Sequence, residues 1–142
     1  MIDVYAPEDF FPADADERLG TELTHAVLRA EGVAQPGPFH LDNTAAFIHR
    51  LPPTALSTAS APSARAVRVQ VVTPPGALDR NGQRQLTREA TEIVAKTAGV
   101  ESTVWVILTE AAEGGWGING TAFGVEEFTA LARRAAETRP AT

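Results

Sequence analysis

TVWVILTEAAEGGWGING, Thr103 to Gly120, joins an apolar run to a cluster of glycines around one tryptophan. The first eight residues are rich in β-branched and aromatic side chains and are short enough for a strand. In Glu113–Gly120, four of eight residues are glycine, the residue that marks a turn or a close backbone approach. Trp116 in such a turn either plugs the nearest gap in the core or forms a wall facing something outside it.

Upstream of this stretch lies a helical pattern. Leu86, Ala90, Ile93, Val94 and Thr97 fall on one stripe of a 3.6-residue period. Asp79 is placed to cap its start and Gly99 to end it. Before it come the loop TPPGAL (Thr73–Leu78) and a strand in Val67–Val72, where valine alternates with polar residues.

The first half has the same order. Ile2–Ala6 is a short alternating strand, and Pro7 and Pro12 delay regular structure until Ala13. A helix follows, with Leu19, Leu23, Ala26, Val27 and Ala30 on one stripe, Asp14 or Asp16 as cap and Gly32 as stop. A loop through Pro36, Gly37 and Pro38 leads to a strand at about Ala45–Leu51. Residues 52–66 read as an exposed connection with room for a short edge strand. His25 falls beside the apolar stripe and reads as structural.

The two helix-ending glycines are 67 residues apart and the strand starts Ile2 and Val67 are 65 apart. This offset implies an internal duplication, about 1–66 and 67–124. The expected fold is α+β: two β-α-β repeats forming a four-stranded mixed sheet with two helices on one face. A C-terminal helical tail follows at about 125–139, with Phe128, Leu131 and Ala135 on one side and a frayed end, TRPAT. The chain is a single domain, 1–142. Helix-long crossovers make the strands within each repeat parallel. The sheet face away from the helices then lacks a cover, and an apolar sheet of that size is an expected interface.

With 142 residues, 44% hydrophobic and 21% charged, the composition is that of one ordinary globular domain. The absence of cysteine removes disulfides, thiol nucleophiles and thiolate zinc sites. A net charge of −6 argues against nucleic acid. No apolar run is long enough for a membrane, and the acidic start MIDVYAPEDFF is unlike a signal peptide, so the expected location is cytoplasmic. Three scattered histidines form no metal set, TPPGAL lacks the spacing of a nucleotide loop, and no G-x-S-x-G elbow occurs. No cofactor or metal is expected.

The succession TPPGAL, a capped helix with ATEIV, VWVILTE and GGWGING resembles the tautomerase superfamily, that of 4-oxalocrotonate tautomerase, the chloroacrylic acid dehalogenases and macrophage migration inhibitory factor. The resemblance is tight over Val67–Phe123 and looser over residues 1–51. It implies a homotrimer with small-molecule sites at or near subunit boundaries. It also implies that the glycine turn ends in a small hairpin reaching a neighbouring chain, with Trp116 and Ile118 in the wall of the site.

The family's chemistry rests on an amino-terminal proline whose amine is held neutral in an apolar pocket. Here Ile2 stands second, and Met1 is expected to remain. Either the chain lacks the proline, or the true start lies upstream. The positions matching the family's substrate-binding arginines are Ala77 and Trp105, neither of which grips a carboxylate. Met1, Tyr5 and His49 are therefore the candidate catalytic residues, with Arg50, Trp105, Trp116 and Ile118 as candidate substrate contacts. His40 is a further polar group of the first half. Each has a blander reading: His49 and Arg50 as strand-end surface groups facing opposite sides, and Tyr5 as a packed ring. Two functions fit: a proline-independent tautomerase acting on a small enol or keto compound, or a catalytically silent scaffold that binds a ligand.

Overall fold

Alternation along the strands sorts their side chains onto two faces, and the whole architecture follows from that sorting. In the computed structural model, which describes residues 1–138, β1 (Ile2–Pro7), β2 (Ala46–Leu51), β3 (Ala66–Thr73) and β4 (Thr103–Glu110) form one sheet in the order β2-β1-β3-β4. β1 runs parallel to β2 and β3 parallel to β4, while β1 and β3 meet antiparallel at the centre. The sheet is therefore mixed, and each repeat contributes one parallel pair.

Ile2, Val4, Val67, Val69 and Val71 point to one face and are fully buried. Against them pack α1 (Asp16–Ala30), through Leu19, Leu23 and Ala26, and α3 (Arg80–Ala98), through Leu86, Ala90 and Val94. These stripes are the ones read from the sequence. Asp79 caps α3 as expected, accepting from the Gly82 N–H at 2.7 Å. α1 and α3 lie side by side. A Cβ at Gly82 would sit 2.6 Å from the Ala30 carbonyl oxygen, so glycine is what lets the start of α3 approach the end of α1.

Three local expectations are corrected. Neither Asp14 nor Asp16 caps α1. Ala15 holds the N-cap position without a side-chain bond, and the Asp16 carboxylate is turned instead to Arg50. Residues 52–65 contain no strand; their proline-rich turns leave no extended run. The loop after α1 contains a short helix, α2 (Pro38–Asn43), with proline in its first turn.

After β4 comes a hairpin, β5 (Trp116–Ile118) and β6 (Thr121–Phe123). Its two linking residues, Asn119 and Gly120, have φ of 50° and 85°, the conformation that a two-residue primed turn requires. Then α4 (Val125–Glu137) begins. Glu113 accepts from the Val125 N–H at 2.7 Å and Glu127 from the Gly124 N–H at 2.8 Å, so two carboxylates fix its start. Of the expected frayed end, Arg139–Thr142 lies outside the described residues.

Candidate functional site

The face of the sheet opposite the helices carries two transverse rows. Register aligns His49, Tyr5, Arg68 and Trp105 in one row and Phe47, Asp3, Gln70 and Ile107 in the next. The centre of this face is polar. His49 Nε2 lies 2.7 Å from Asp3 Oδ1, the Tyr5 and His49 rings stack at 4.3 Å, and the Arg68 guanidinium sits 4.4 Å from the Tyr5 ring centre. The flanks are apolar and exposed: Phe47 is 52% exposed, Ile107 44% and Trp105 37%.

At the helix side of the molecule, where β1 begins, a cleft of about 780 Å³ opens. That is within the range of small-molecule sites. Met1 lies in its lining, together with the end of α1 (Leu28, Glu31), Phe39 and His40 of α2, the Pro74–Ala77 loop and Trp116. α4 closes one side with Phe128, Leu131 and Arg134. An aromatic chain from Phe39 to Phe123 (5.9 Å) and on to Phe128 (5.4 Å) ties α2, the hairpin and α4 together. Glu110 accepts from the Gly76 N–H and anchors the Pro74–Ala77 loop.

Met1 extends the β1–β3 pairing by one residue. Its amine donates to the Val72 carbonyl at 2.9 Å, and its own carbonyl accepts from the Val72 N–H. The residue as a whole is 36% exposed, but its nitrogen is drawn down onto the sheet. Burial holds the amine below its ordinary pKa, opposed by the carboxylates of Glu31 and Asp3. Glu31 shifts the other way: burial raises its carboxyl above the usual range, opposed by the amine. Two proton-carrying groups thus share one cleft.

The structure divides the residues singled out in the sequence. Met1 and Trp116 come together in the cleft. Tyr5, His49 and Trp105 lie on the opposite face of the sheet, away from them. Ile118, half-buried in β5, is outside the cleft lining. Arg50 faces the helix side, and all five of its N–H donors are engaged by the Asp16 carboxylate and the carbonyls of Glu8, Phe11 and Pro12. Glu31, Phe39 and Arg134 had no signal in the sequence beyond ordinary helix-end and loop composition.

A second, open groove of about 760 Å³ runs between α3 and the β4 edge, lined by Arg80, Arg84, Arg88, Val106 and Leu108. No group of three or more His, Cys, Asp or Glu is placed to hold a metal among the described residues. No described helix is long and apolar enough to cross a membrane.

The Tautomerase enzyme family profile matches residues 67–126. The chain has no match among curated proteins. Among solved structures, a fused 4-OT described as a symmetric trimer superposes with a TM-score of 0.73 at 17% identity, over 89% of this chain and 97% of that one. A protein solved after inactivation by 2-oxo-3-pentynoate gives 0.72 at 19% identity, over 88% and 96%. A member of the cis-3-chloroacrylic acid dehalogenase family gives 0.72 at 18%, over 98% and 92%. Residues 67–126 thus match the tautomerase family profile, and the whole chain has the fold of fused 4-OT and of a member of the cis-3-chloroacrylic acid dehalogenase family.

Proposed function

We propose that this chain binds, and moves a proton on, a small enol or keto compound in the Met1–Trp116 cleft, and that it works as a homotrimer. The observation that carries the reading is the placement of the residue 1 amine, lowered in pKa by burial, in a cleft walled by Trp116 and Phe39. A neutral amine can take a proton from an enol oxygen or from carbon beside a carbonyl. Aromatic walls suit the planar enol, and Arg134 and His40 are the cleft's candidate partners for a carboxylate. Where Met1 carries the amino terminus, a primary amine stands in place of a proline's secondary amine, and activity is expected to be weak or altered. Trimeric fused 4-OT structures support the assembly, as do the exposed apolar flanks of the sheet.

A silent binding role is the second reading. The bond from the Met1 amine to Val72 and the non-basic residues at Ala77 and Trp105 favour it. The two are separated with 2-oxo-3-pentynoate, which adds to a neutral amine as a conjugate acceptor without a leaving group. After intact mass has fixed the first residue as Met1, the expected result is one equivalent of reagent on the amino-terminal peptide. Labelling elsewhere, or none, would overturn the catalytic reading.

A further inference from the structure

We propose that Glu31 is a catalytic acid of this cleft, handing its proton to the substrate carbon while the residue 1 amine takes one from the enol oxygen. The proposal rests on the function proposed above and adds a residue to it.

Geometry supports it first. Glu31 is the C-cap residue of α1, held by its backbone N–H bond to the Val27 carbonyl at 2.9 Å, so its backbone is fixed in the cleft wall that its side chain helps to line. It is half-buried beside Leu28 and Val33. The C-terminal end of a helix carries partial negative charge, which disfavours a carboxylate and favours the acid. Burial raises the carboxyl pKa, the amine's charge opposes it, and among the described residues no hydrogen bond holds the carboxylate ionised.

The charged or titratable groups facing it come from three elements: the Met1 amine before β1, His40 of α2 and Arg134 of α4. The Pro74–Ala77 loop and Trp116 contribute none. On its own helix, Arg29 is turned away to Glu89 at 3.3 Å. The raised carboxyl pKa agrees with this setting but adds nothing that the wall position does not require.

The step balances. The enol O–H bond breaks toward the amine, its electrons form the carbonyl, and the C=C pair takes the proton from the Glu31 carboxyl. The ammonium then returns a proton to the Glu31 carboxylate, and both groups are restored. The active state holds one proton on the two groups together. Turnover should therefore follow a bell-shaped pH profile with two macroscopic limits that belong to the pair.

The test compares ketonisation of phenylpyruvate enol by the wild-type chain, Glu31→Gln and Glu31→Asp across pH, beside carbon-13 NMR titration of the glutamate carboxyls. The expected result is a bell for wild type and for Glu31→Asp. Glu31→Gln should lose about 100-fold or more at the optimum and rise with pH without a falling limb. The resonance missing in Glu31→Gln should titrate above the ordinary carboxylate range. A Glu31→Gln profile that matches wild type would overturn the proposal while leaving the function standing. Turnover at solvent background by wild type would overturn the function, and the assignment of Glu31 as a catalytic acid falls with it. A Glu31 carboxyl titrating in the ordinary range would overturn the proposal alone.

Discussion

Arg50→Ala is expected to destabilise the fold by about 2–4 kcal/mol, a drop of roughly 10 °C in Tm. The guanidinium ties the end of β2 to the irregular segment from Glu8 to Ala15 that carries Phe10 and Phe11 into the core, beside the backbone bond from the Glu8 N–H to the Leu51 carbonyl at 2.8 Å. Its bonds to the Glu8, Pro12 and Phe11 carbonyls measure 2.7, 2.7 and 3.1 Å, and Asp16 accepts from both Nε and Nη2. Truncation leaves three carbonyls and a carboxylate to find water. Much of the ion pair itself is discounted, because the Asp16 side chain is 44% exposed. Asp16→Ala should accordingly cost less than Arg50→Ala. Arg50→Lys should recover little, since one ammonium cannot reproduce a planar five-donor fork. Urea unfolding measures all three. An Arg50→Ala variant within about 0.5 kcal/mol of wild type would show that the clasp contributes nothing and that the guanidinium is free for an anion.

The second large effect concerns assembly. Trp105→Glu with Ile107→Glu should convert the proposed trimer to a 15.0 kDa monomer. These side chains project from the outer strand β4 on the sheet face that the helices do not cover, so a single chain loses little by the change. In an assembly, two carboxylates would be buried without partners, a cost of several kcal/mol per subunit. Circular dichroism should keep its form while light scattering falls to the monomer mass. Retention of the oligomer would place the interface elsewhere, with the arginine-lined groove beside β4 next in line.

Period-2 alternation in VRVQVV and the stripe of α3 were legible because local pattern and burial agree there. The same alternation shows that His49 and Arg50 face opposite sides. It does not say which side the helices cover, and that decides their roles: His49 joins the Asp3–Tyr5–Arg68 group on the open face, whereas Arg50 is consumed by backbone carbonyls. α2 was hidden because Pro36, Gly37 and Pro38 signal a loop, although proline is also a good first helical residue. Asn119–Gly120 carries a readable hairpin signal, the pair that tolerates positive φ in a two-residue turn. Glu31 had none. As a charge at a helix end it looks like solvent-facing punctuation, and the cleft it lines is formed only when Met1, α2, the Pro74–Ala77 loop, Trp116 and α4 meet around the end of α1. Sites assembled from several separated segments are written in the topology rather than in any one motif.

The central claim is that the ligand site is the Met1–Trp116 cleft and not the polar row on the open sheet face. Amide chemical-shift mapping with phenylpyruvate tests it most directly. The account predicts shifts clustered at Glu31, Val33, Gly76, Ala77 and the Trp116 indole, with Tyr5, His49 and Arg68 unmoved. Shifts centred on Tyr5, His49 and Arg68, with the cleft residues silent, would contradict it.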